Sequence, residues 1–157
     1  MKKRTAFIGA ILSLIPLGQP LIIKTGVVLS SSAVMLSLTK KVNAETSTFY
    51  FNRAFEKGNN GDHYGAISDF TKAIEINPSD ANAYYNRGLS KNKLEDHYGA
   101  IADYSKAIEI NPNYLSAYKN RGIDKEIIGD LKVACVDSQK ASQLGDQDAV
   151  NWVRDQC

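Results

Sequence analysis

The chain has 157 residues, 43% of them apolar and 23% charged, which excludes a disordered polymer and leaves room for one small folded domain plus a leader. The formal net charge of +2 is unevenly spread: residues 1–44 hold six basic residues and no acidic one, so residues 45–157 carry 13 basic against 17 acidic. That balance provides no basic footprint for nucleic acid on the folded part, and none is expected as a partner.

Residues 1–44 open with Lys2-Lys3-Arg4, run uncharged from Thr5 to Ile23, cross Lys24, and run uncharged again to Thr39 before Lys40-Lys41-Val42-Asn43-Ala44. A basic start, an apolar stretch and small residues before Glu45 describe an export signal cleaved after Ala44. The alternative is an uncleaved membrane anchor. Thr5–Ile23 is near spanning length, although Pro16 and Pro20 interrupt a straight helix. Either reading makes the protein exported or membrane-associated.

From Ser47 onward the chain repeats itself. HYGAISDFTKAIEINP at His63 to Pro78 aligns without a gap to HYGAIADYSKAIEINP at His97 to Pro112, a shift of 34 residues. A second shift carries Tyr84, Asn86, Arg87, Gly88, Asp96, Ala100, Asp103 and Ala107 onto Tyr118, Asn120, Arg121, Gly122, Asp130, Ala134, Asp137 and Ala141. Within each copy, apolar residues at three- and four-residue steps predict a helix A over repeat positions 2–14 and a helix B over about 17–30. Asp62, Asp96 and Asp130 stand where they would cap helix B, and Asn77-Pro78 and Asn111-Pro112 where they would end it. After Leu144-Gly145-Asp146 one more amphipathic helix is expected, with Ala149, Val150 and Val153 inward and Trp152 at the edge.

A period of 34 with Tyr84, Gly88, Ala100, Tyr104, Ala107 and Pro112, and with Tyr50, Ala54, Ala66, Phe70, Ala73 and Pro78 one copy earlier, resembles the tetratricopeptide repeat. The third copy is degenerate, with Ser138 in the aromatic's place and no proline after it. The resemblance implies an all-α, right-handed α-solenoid of three helix-turn-helix repeats over residues 47–80, 81–114 and 115–145, closed by a capping helix over 146–157. It also implies a non-catalytic protein-interaction module that binds a peptide or partner helix in a concave groove.

The family's concave helix A positions, with the neighbouring Asn86, place Phe51, Phe55, Asn59, Asn82, Tyr85, Asn86, Leu89, Asn92, Lys93, Lys119 and Ile123 in that groove. Apolar anchors with a polar surround suit an interface. The competing reading is a membrane-tethered or self-associating scaffold, whose groove is filled by its own leader or by a second copy. Some members of the family grip a peptide's terminal carboxylate with Lys, Asn and Arg on helices A. Of those positions only Asn86 fits here, so binding of that type is not expected.

Cys135 and Cys157, both beyond the leader, are expected to form a disulfide, the alternative being two buried thiols. His63 and His97 share a repeat position, one helix spacing apart, which favours packing over a metal site. The pairs Asn52-Arg53, Asn86-Arg87 and Asn120-Arg121 either line the groove with amides or bond repeat to repeat with solvated arginines. Asp69, Asp103 and Asp137 are expected solvated or capping. No cofactor, metal or catalytic constellation is expected, because no nucleophile has a base beside it and no phosphate loop follows a strand.

Overall fold

A computed structural model describes residues 21–22, 28–29 and 31–157. Most of the apolar run Thr5–Ile23, and the signal-or-anchor expectation attached to it, lies outside the described residues. In the first of two units, residues 1–42, β1 (Leu21–Ile22) pairs antiparallel with β2 (Val28–Leu29), Leu21 opposite Leu29 and Ile22 opposite Val28. No helix among the described residues is long and apolar enough to cross a membrane.

The second unit, residues 43–157, holds the repeats. The helices are α1 (Ser31–Asn59), α2 (His63–Ile76), α3 (Ala81–Asn92), α4 (His97–Ile110), α5 (Leu115–Ile127), α6 (Leu131–Gln143) and α7 (Gln147–Gln156). Helices B therefore begin at the same repeat position three times. Helix A of the first repeat is the exception: it belongs to a longer helix, and Ala44 lies inside that helix rather than before it.

Aspartate sets most of these starts. The side chains of Asp62, Asp96, Asp130 and Asp146 accept from the backbone N–H three residues on, at 2.8, 2.9, 3.4 and 3.0 Å, and Asp80 accepts from Asn82 and Ala83. Each satisfies a donor that the first helical turn cannot use internally. The turns before α2, α6 and α7 pass through Gly61, Gly129 and Gly145 at positive φ. The same position before α4 is filled by Glu95, at φ 61°.

Every helix from α2 to α7 packs on its neighbours in sequence, so the stack is an all-α solenoid in which each repeat packs on the next. Its core alternates small residues with rings. Ala54, Ala66 and Phe70 are buried in the first hairpin, with Phe51 against them, and Ala100, Tyr104, Ala107 and Ala117 continue the seam. Gly88 is required where it stands: a Cβ there would lie 2.7 and 2.9 Å from the Tyr104 ring. At the equivalent Gly122 the nearest atom is 3.5 Å away, because Ser138 replaces that ring.

Candidate functional site

The arginines of the most regular polar feature of the sequence turn inward to buried carboxylates. Arg53, Arg87 and Arg121 on helices A each hold the aspartate sixteen residues on, Asp69, Asp103 and Asp137, through two parallel hydrogen bonds of 2.5–2.9 Å. These aspartates are 1%, 3% and 0% exposed, so the expectation that they are solvated or capping is corrected: they are buried and ion-paired. Lys57 and Lys91 add a second cation to Asp69 and Asp103. The Arg53 and Lys57 contacts hold the Asp69 carboxyl down to about 2, against the opposing effect of its burial. The remaining guanidinium nitrogen reaches back one repeat, from Arg87 to Thr71 at 3.1 Å and from Arg121 to Ser105 at 2.9 Å. Each arginine also lies over a ring one turn before it, Tyr50, Tyr84 or Tyr118. The arginines are thus committed to aspartates within the stack, Arg87 and Arg121 largely buried and Arg53 still partly open to solvent.

Several candidate groove residues are engaged within the stack. Tyr85 stacks on Tyr104 and Tyr114, with centroids 5.8 and 4.9 Å away, and its hydroxyl accepts from Asn120 at 2.9 Å. Asn82 accepts from the Tyr114 hydroxyl at 2.8 Å, and that hydroxyl is pushed up to about 12 by burial and by the neighbouring Tyr85 and Asp80. Asn86 donates to the Asn82 carbonyl. Asn92 donates to the fully buried Asp124 at 2.6 Å, and His97 Nδ1 lies 2.8 Å from the same oxygen. Lys119 is bound to Asp146 at 2.7 Å, which raises its pKa and lowers that of Asp146. Phe51 packs edge-on to Phe70 at 5.4 Å.

The other candidates stay open to solvent and converge. Phe55, Leu89 and Ile123 occupy one repeat position on successive helices A; Phe55 is 49% and Ile123 46% exposed, and Leu89 is half-buried. A cleft of about 180 Å³ between α1 and α3 brings Phe55 and Asn59 together with Asn86, Leu89 and Lys93, floored by Ala54 and Phe70. A second cleft of about 180 Å³ is lined by Lys119, Ile123, Glu126, Ser138 and the α7 residues Asp148, Ala149 and Trp152. It opens where Ser138 stands in place of a ring.

Cys135 on α6 is joined to Cys157 just past α7, with their Cα atoms 5.9 Å apart. Together with the Lys119–Asp146 pair at the other end, this fastens α7 at both ends over the last hairpin. Among the described residues no cluster of three His, Cys, Asp or Glu side chains is arranged to hold a metal ion.

Residues 81–114 match the family model described as tetratricopeptide repeat, and residues 59–95 match a second, described as TPR repeat. A search of curated proteins finds no match. Among solved structures, the Arabidopsis OM64 TPR domain is 25% identical with a TM-score of 0.68, covering 73% of this chain and 99% of that one. The TPR2B domain of yeast Sti1, solved as a complex with pHsp70, is 25% identical at a TM-score of 0.62, covering 71% and 90%. MamA is 28% identical at 0.63, covering 67% of this chain and 61% of its own. Residues 59–114 thus match models of the tetratricopeptide repeat, and the hairpin stack in which they lie has the fold of the solved tetratricopeptide domains.

Proposed function

We propose that the protein is a non-catalytic interaction module that docks an extended peptide or a partner helix along the face formed by its successive helices A. The observation that carries this reading is the stripe Phe55, Leu89, Ile123, three apolar side chains at one repeat position, Phe55 and Ile123 exposed and Leu89 half-buried between them, beside a cleft. A contiguous apolar strip with a polar rim is what a docked chain needs, whereas an isolated exposed apolar residue requires no explanation. The yeast Sti1 domain named above was solved with a bound partner, which supports the same class of activity here.

Export or membrane association is part of the proposal. The basic, then apolar, residues 1–44 support it, as does the Cys135–Cys157 disulfide, a bond that persists mainly in oxidising compartments.

The test is capture of crosslinked partners by the full chain in its native compartment. Phe55→Ser with Leu89→Ser is expected to lose partners that the wild type retains, at an unchanged helical content. Tyr64→Ser with Tyr98→Ser, which alters two highly exposed rings on helices B, is expected to retain them. An unchanged partner set in the first variant contradicts the reading.

A further inference from the structure

The two junctions between repeats are built from the same positions, filled differently. At the second junction, Asn92 and His97 close on the buried carboxylate of Asp124. One period earlier these positions hold Gly58, His63 and Ser90. An amide and a carboxylate are missing there, and the imidazole is retained. The result is the cleft between α1 and α3, whose wall includes all three residues. A Cβ on Gly58 would sit 3.9 Å from Ser90 Oγ, so the two small residues lie next to each other in the wall of the cleft. His63 Nδ1 is buried without a hydrogen-bond partner among the described residues, a cost that native structures ordinarily avoid.

The chemistry of the wall is one-sided. Its polar side chains are Asn59, His63, Asn86, Ser90 and Lys93, and it contains no carboxylate; the Ser90 hydroxyl already donates to the Asn86 carbonyl, which leaves Asn59, His63, Lys93 and the second amide hydrogen of Asn86 as donors. The second cleft differs: Glu126 and Asp148 line it, and its Lys119 is already paired with Asp146. Resting on the docking reading above, we propose that the first cleft takes an acidic side chain of the docked polypeptide. That carboxylate fills, between the first and second repeats, the place that Asp124 fills between the second and third. An Asp or Glu entering between Phe55 and Leu89 gives His63 its acceptor and meets Asn59 and Lys93, while apolar neighbours on the same peptide rest on the two anchors. A charge-assisted hydrogen bond of this kind is about twice as strong as a neutral one.

The probe is a randomised bead library of C-terminally amidated peptides, screened with the full chain. Binders are expected to carry Asp or Glu at one fixed register beside apolar residues. Replacing that residue by Gln or Asn is expected to weaken binding about tenfold, and His63→Ala to do the same. Ser90→Asp, which supplies the carboxylate from within the chain, is expected to fold with an unlowered melting temperature and to bind the acidic and amide peptides alike. Binders indifferent to the Glu→Gln change overturn the acidic anchor and leave the groove reading intact. Binders found only in a free-acid library replace the side chain by a chain terminus and overturn it too. A library yielding no binder, or binders unaffected by Phe55→Ser, contradicts the groove itself.

Discussion

At the scale of single residues, internal repetition provides its own controls. Gly88 and Gly122 occupy one position, yet only Gly88 lies under a ring. Gly88→Ala drives a methyl group into the fully buried Tyr104 and is expected to destabilise by about 2 kcal/mol. Gly122→Ala meets only ordinary contacts and gains helix propensity, so it is expected to be neutral or to stabilise by up to about 1 kcal/mol. Denaturant melts of both variants test the pair, and equal effects would contradict the packing described. Glu95 holds a left-handed backbone that Gly61 and Gly129 adopt without strain. Glu95→Gly is therefore expected to stabilise the fold by about 0.5–1 kcal/mol, net of the greater freedom that glycine has in the unfolded chain. A loss of stability on the same measurement would count against this.

At the scale of helices and their junctions, the ion pairs and the cap carry the predictions. The Asp69 carboxyl, lowered to about 2 from its ordinary value, contributes stability that is fully present above pH 4. It is lost as the pH falls through 2, and amounts to about 2 kcal/mol. Urea unfolding of Asp69→Asn between pH 4 and pH 2 is expected to show a shallower loss than the wild type; parallel curves would remove Asp69 as the cause. Reducing Cys135–Cys157, which closes a separation of 22 residues, is expected to lower stability by about 3 kcal/mol. Hydrogen exchange should then localise the new opening to α7, and exchange spread evenly over the stack would contradict the fastening role assigned to the bond.

The hairpins were legible in the sequence at this scale because two signals agreed. The 34-residue period fixed the length of each unit, and Asp62, Asp96 and Asp130 marked each second helix. The site was legible only in part. Phe55, Leu89 and Ile123 stay open as their shared position implies, but Asn92, Tyr85 and Lys119 are engaged by Asp124, Tyr114 and Asp146. Those partners belong to other helices, and the spacing within one helix carries no record of them. The buried Arg53–Asp69 pair and its two copies did leave a trace, since Arg and Asp recur together sixteen residues apart in every repeat. A recurrence of two opposite charges at fixed positions is better read as a paired interior contact than as two solvated faces.

For the whole molecule, the account reduces to which face another polypeptide touches. Helices A present Phe55, Leu89 and Ile123 with the amide and lysine rim, and helices B present Tyr64 and Tyr98. Both faces are exposed, and two clefts lie beneath the apolar residues of the first. Hydrogen–deuterium exchange of the full chain, alone and with a captured partner, distinguishes them directly. The account predicts new protection in the second half of α1 and in α3 and α5, with α2 and α4 unchanged at Tyr64 and Tyr98. Protection confined to α2 and α4 would contradict it.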